Sequence, residues 1–191
     1  MVDSYKSPPF SFFYNMQKIF VTSDIWFNRP NENFSTTNEY NNLIIENWNK
    51  TVSKKDVVYI LGGLGISDMF SLVVKLNGEI HILNNCFTND DKLFYDILKD
   101  NVERSIDVNL TNKIIFEDTQ ILTIPELDTF LSYFPLETWG GDMTGTFLFH
   151  GYNSNSDLIN NKISCKIEDW KYKPILISEV KNNLFKFKKN L

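Results

Sequence analysis

A chain of 191 residues, 42% hydrophobic and 23% charged, has room for one domain and enough apolar content to fold without disulfides or a structural metal. Its net charge of −5 argues against a general nucleic-acid binder, and no apolar run approaches the ~20 residues of a membrane span. Two cysteines, Cys86 and Cys165, fit a reducing cytoplasm, and two histidines, His81 and His150, exclude a hydrolase that relies on several imidazole ligands.

The chain opens MVDSYKSPPFSFFYN, with proline and aromatics where a signal peptide needs a basic end and an apolar run, so a cytoplasmic location is expected. Its aromatic stretch Pro8 to Tyr14 reads either as a strand added to a sheet edge or as a docking peptide. Lys18 to Ser23 is apolar and β-branched, a buried strand ending at a polar turn. An Asn/Pro-rich loop follows. Tyr40, Leu43, Ile44, Asn47 and Trp48 then fall at helical spacing within Asn38 to Lys50, with Thr37 or Asn38 as cap.

Asp56 to Leu61 is a second strand, stopped by Gly62-Gly63. Ser67 to Leu76 is helix-like, with Ser67 as N-cap and Asn77-Gly78 as stop, and Glu79 to Leu83 is a third strand. This alternation implies parallel βαβ units. Asp91 to Lys99 reads as a helix. Short strands follow at 113–117, 120–124, 129–132, 146–150, 162–166 and 175–178, and imply a mixed or antiparallel sheet. The organisation expected is an N-terminal extension at 1–17, one domain at 18–180 and a basic tail at 181–191. In that tail Lys181, Lys186, Lys188 and Lys189 interleave with Leu184, Phe185 and Phe187, as a solvated last helix or a partner-docking tail.

Sites of α/β proteins form where parallel strands end in loops. The relevant turns are Ser23-Asp24-Ile25-Trp26, Leu61-Gly62-Gly63, Asn84-Asn85-Cys86-Phe87, Leu131 to Pro135, and Phe149 to Ser154. In order and setting they resemble the signature blocks of the calcineurin-like metallophosphoesterases: D-x-H, G-D, G-N-H-(D/E), an isolated His, and G-H-x-H. The flanks LIIENWN at 43–49, VYILG at 58–62, LSYFPLETW at 131–139 and DWKYKP at 169–174 are similar to its small bacterial and phage branch.

The resemblance implies a four-layer α/β/β/α sandwich. In that family two metal ions, bridged by the G-D aspartate, activate water for attack on phosphorus. Matched residue by residue, the first aspartate is Asp24 and its histidine partner is Trp26. The bridging aspartate is Gly63, the asparagine is Asn85, the neighbouring catalytic histidine is Cys86 and the following acid is Phe87. The isolated histidine is Tyr133, and the last two ligand histidines are Tyr152 and Ser154, with His150 just outside. Five of seven ligands are thus replaced, and Asp24 with Asn85 could hold at most a weak, hydrated ion.

The expectation is a vestigial site that holds no metal or other cofactor. Trp26, Phe87, Tyr133 and Tyr152 either fill the vacated basin or form a partner-binding patch. The function implied is that of a pseudoenzyme binding a protein. An abundance of Asn, Ile and Lys beside only two arginines points to an AT-rich bacterial or phage genome. The expected partner is accordingly a host nucleic-acid-binding or transcription protein, such as an RNA polymerase sigma subunit, with no direct nucleic-acid or membrane binding. The alternative is a residual phosphoesterase using Asp24, Asn85 and His150 with one metal. Other constellations are weak. Cys86 and His81 sit at an odd strand offset, Ser132 and Ser154 have only His150 as a base, and Gly62-Gly63-Leu64-Gly65 lacks the Lys-Ser/Thr of a phosphate loop.

Overall fold

The computed structural model describes residues 17–84, 89–142 and 145–188. Among the described residues nine strands form two sheets. In the first, β1 (Ile19–Thr22), β2 (Val57–Ile60), β3 (Glu79–Leu83) and β4 (Ile114–Glu117) run parallel, and β9 (Ile175–Leu176) pairs antiparallel on the outer side of β1. In the second, β5 (Ile121–Ile124) lies antiparallel to β6 (Thr129–Ser132), which runs parallel to β7 (Phe147–His150) and β8 (Lys162–Ser164). The molecule is therefore mixed α/β with two sheets rich in parallel pairs.

Strand alternation assigns the faces. Phe20, Val58, Ile60, Ile80 and Ile82 pack beneath α1 (Thr37–Thr51) and α3 (Asn89–Glu103), whose Tyr40, Ile44, Trp48, Tyr95, Leu98 and Val102 complete one apolar core. The opposite faces, Val21, Leu61 and Leu83 on one sheet and Leu131, Phe147, Phe149 and Ile163 on the other, enclose a second core between the sheets. The far side of the second sheet is covered in part by loop, where Gly140 lies against the Phe130 ring.

The sequence reading and the structure differ at several boundaries. The cap of α1 is Thr36, whose Oγ1 accepts from Glu39 N at 3.1 Å, while the Glu39 carboxylate accepts from Ser35 N at 3.1 Å. The second helix, α2, shrinks to Phe70–Val73. Residues 64–66 are still paired with the loop after β1, so the chain first turns at left-handed Ser67 (φ 57°), and Asp68 Oδ1 accepts from Phe70 N. A four-residue helix, α4 (Val108–Thr111), precedes β4.

The last helix, α5 (Ile177–Lys188), runs across the expected boundary at residue 180. Its Ile177 and Leu184 join the core between the sheets. Lys181 is buried, donates to the Leu127 carbonyl and sits 4.7 Å over the Phe147 ring. The N-terminal stretch Pro8 to Tyr14 lies outside the described residues.

Candidate functional site

Past the C-terminal ends of β1 and β2 the backbone stays zipped. Asp24 N donates to Gly62 O (2.9 Å), Trp26 N to Gly63 O (2.8 Å), Phe27 N to Leu64 O (3.0 Å), and Ile66 N returns to Phe27 O (2.9 Å). To keep this pairing Asp24, Trp26 and Asn28 all adopt left-handed φ of 53°, 51° and 63°. Each such conformation costs roughly 1–2 kcal/mol for a residue with a side chain. Contacts from α1 hold the strained loop: Tyr40 Oη donates to Ile25 O at 2.8 Å, and Asn41 exchanges two hydrogen bonds with Asn28.

Asp24 is 3% exposed, and both its carboxylate oxygens are engaged. Tyr133 Oη donates to Oδ1 at 3.0 Å and Ser23 Oγ donates to Oδ2 at 3.2 Å. Burial pushes the carboxyl above the ordinary aspartate range, and the hydroxyl bonds only partly oppose it.

Gly63, at φ +62°, faces this carboxylate so closely that an added Cβ would lie 2.5 Å from Asp24 Oδ1 and 2.7 Å from its Cα. The Tyr133 ring closes the other side, 2.6 Å from where a Cβ on Gly62 would stand. Residues 24, 63 and 133 therefore do not fit a two-metal centre. Position 63 cannot take even a methyl group on this backbone, and a phenol occupies the space beside Asp24.

Above this plug the rings reach solvent. Tyr133 is buried and hydrogen-bonded, Tyr152 is 59% exposed and Phe134 39% exposed. The three pack with centroids 5.3–6.0 Å apart. Tyr133 O accepts from both Gly151 N (2.9 Å) and Tyr152 N (2.8 Å), which fixes the two turns together. Two residues after Asp24, the half-buried Trp26 carries the Arg29 guanidinium 4.6 Å over its ring, beside a cavity of about 420 Å³ that Glu168 and Tyr40 also line.

Of the residues singled out in the sequence, Asp24, Trp26, Gly63, Tyr133 and Tyr152 come together here. Ser154 is exposed in the loop beyond β7. Asn85, Cys86 and Phe87 lie outside the described residues.

His150 does not face Asp24. Phe147 and Phe149 point into the core between the sheets, so His150 projects from the other face, in register with Ser132 and Ser164. It is 1% exposed, its Nδ1 has no hydrogen-bond partner among the described residues, and burial pushes its pKa down to about 4. Of the residual-hydrolase grouping Asp24, Asn85 and His150, His150 thus lies on the sheet face away from the core between the sheets, and Asn85 lies outside the described residues. His81, the other histidine, is held between Glu117 (Nδ1, 2.6 Å) and Glu79 (Nε2, 2.9 Å). Cys165, buried with Sγ 3.0 Å from His150 O, has its thiol pushed well up by burial and is unsuited to nucleophilic chemistry.

Sequence reasoning missed Phe134, Arg29 and Ser23. Phe134 and Ser23 adjoin the matched Tyr133 and Asp24, and that adjacency was the available signal. Arg29 carried none, lying beyond the matched turn.

No protein-family model matches the chain. An uncharacterized protein of Methanocaldococcus jannaschii is 38% identical over 89 residues, 41% of this chain, and the chain spans about half (49%) of that relative's length. A solved structure of a protein of unknown function from Aquifex aeolicus is similar at TM-score 0.57 and 17% identity, covering 87% of this chain and 99% of that one, which shows a shared fold. A solved archaeal phosphodiesterase is similar at TM-score 0.45 and 16% identity, over 78% of this chain and 82% of its own.

Proposed function

We propose that this chain is a non-catalytic protein on a four-layer α/β/β/α scaffold of metallophosphoesterase type, and that it acts by binding a protein partner through the aromatic surface over the filled basin. One observation carries the reading: the Tyr133 phenol binds Asp24 where metal ligands would have to converge, and its ring underlies exposed Phe134 and Tyr152. Trp26, capped by Arg29 and paired through its backbone with Gly63, is a further aromatic side chain in the same loops. Aromatic and arginine side chains of this kind supply most of the energy at protein interfaces. The net charge of −5 favours a partner with a basic face, as on a nucleic-acid-binding or transcription protein.

The test is capture from lysate with the wild-type chain and two variants, Trp26→Gly and Tyr152→Ala. Glycine suits the left-handed backbone at position 26, so that variant removes the ring without unfolding the loop. The wild type is expected to retain one stoichiometric partner that both folded variants lose. Manganese-dependent cleavage of bis(p-nitrophenyl) phosphate that disappears in Asp24→Ala would instead establish a phosphoesterase and overturn the proposal.

A further inference from the structure

The N-terminal ends of the parallel strands, opposite the aromatic surface, carry a second cleft. Lys54 precedes β2, Glu79 opens β3 and Lys113 precedes β4. Together with Lys75, Asn109 and Asn112 they line a cavity of about 860 Å³, a size that suits a small ligand.

Three ammonium groups on one cleft are unusual in a chain with five more negative than positive charges. Among the described residues none of the three forms an ion pair; the lysines and arginine that do are Lys50, Lys92, Lys99 and Arg104. Of the nearby carboxylates, Glu79 lines the cleft with Oε1 2.9 Å from His81 Nε2, and the buried Asp56 accepts from the backbone N–H groups of Lys18 and Ser53.

Lys113 is the half-buried member. Its Nζ donates to the Val74 carbonyl at 3.0 Å, which uses one of three N–H groups. Burial and the charge of Lys54 pull it below the usual lysine range, and among the described residues no carboxylate pairs with it.

We infer that this cleft binds a small anion bearing two or more phosphate groups, with Lys113 at its floor and Lys54 and Lys75 at its rim. Lysine is a point-charge ligand for phosphate, and the amides of Asn109 and Asn112 add donors for the remaining oxygens. The site shares no residue with the aromatic surface and stands or falls independently of it.

Calorimetric titration of the full chain with sodium tripolyphosphate tests the inference. One equivalent is expected to bind, more weakly in about 150 mM than in about 50 mM salt. Lys113→Met should lower affinity at least about tenfold, since it removes a charge from the first contact sphere of the anion. Lys54→Gln with Lys75→Gln, at exposed positions that cannot affect folding much, should do the same, while Lys92→Gln leaves binding unchanged. Absence of binding, or equal affinity in the Lys54/Lys75 double variant, overturns the inference. So does a result in which a thymidine oligonucleotide binds and tripolyphosphate does not, because the ligand class would then be a polymer.

Discussion

At Asp24 a carboxylate has been taken almost wholly out of water and given two hydroxyl donors. Its raised pKa fixes the sign of the linkage: the native state favours the protonated form, so this group's stabilisation is present at low pH and is lost as pH rises through the native pKa. Asp24→Asn keeps the acceptor for Tyr133 and removes the charge. Its thermal midpoint should exceed the wild type's at pH 7, and the two should converge near about pH 3.5, below the ordinary aspartate pKa. A lower midpoint at pH 7 would show that the charge is held by something other than these hydroxyls.

Tyr133→Phe strips a donor from the buried carboxylate and should cost about 1.5–3 kcal/mol in urea unfolding at pH 7; no measurable loss would mean the phenol does not bind Asp24. Gly63→Asp supplies on paper the bridging aspartate of the family that the sequence resembles, but its Cβ would meet Asp24 at 2.5 Å on a left-handed backbone. That variant should be strongly destabilised and gain no manganese binding, as checked by thermal unfolding with and without the metal.

Among the elements, the strands were readable because apolar, β-branched runs end at polar or glycine turns, and β1, β2, β3, β6 and β7 fall within a residue or so of their predicted places. Amphipathic spacing exposed α1 for the same reason. Its capping residue was displaced to Thr36, because capping depends on a backbone turn that hydrophobic spacing does not encode. The curtailed α2 was hidden because the pairing of Phe27 with Gly65 extends the first sheet beyond its strands, a long-range contact with no local signature.

The row Ser132, His150, Ser164 was equally hidden, since it depends on the register of three strands. His150 refuses a proton in the native state down to about pH 4, while the unfolded chain takes one near pH 6.5. Stability therefore falls as pH drops from 6.5 to 4, by up to about 3 kcal/mol from this residue. His150→Gln should flatten that slope relative to wild type in parallel urea titrations at neutral and acid pH. An unchanged difference between the two pH values would show that other groups set the acid sensitivity.

At the scale of the whole molecule, two sheets place their strand ends on one rim, and that rim holds the residues the sequence matched in order: Asp24, Gly63, Tyr133 and Tyr152. What the sequence could not show is how they meet. The collision of a side chain at position 63 with Asp24, and the use of Tyr133 as both plug and donor, arise from backbone conformations set by pairing between distant loops. Which of the aromatic rings are buried is also visible only in three dimensions: Tyr133 is buried and Tyr152 is not.

The most direct measurement is anomalous diffraction at the manganese edge from crystals grown with the metal in excess. With Tyr133 bound to Asp24, no pair of anomalous peaks should stand beside that carboxylate. Two strong peaks there, with the phenol swung away, would contradict a filled basin.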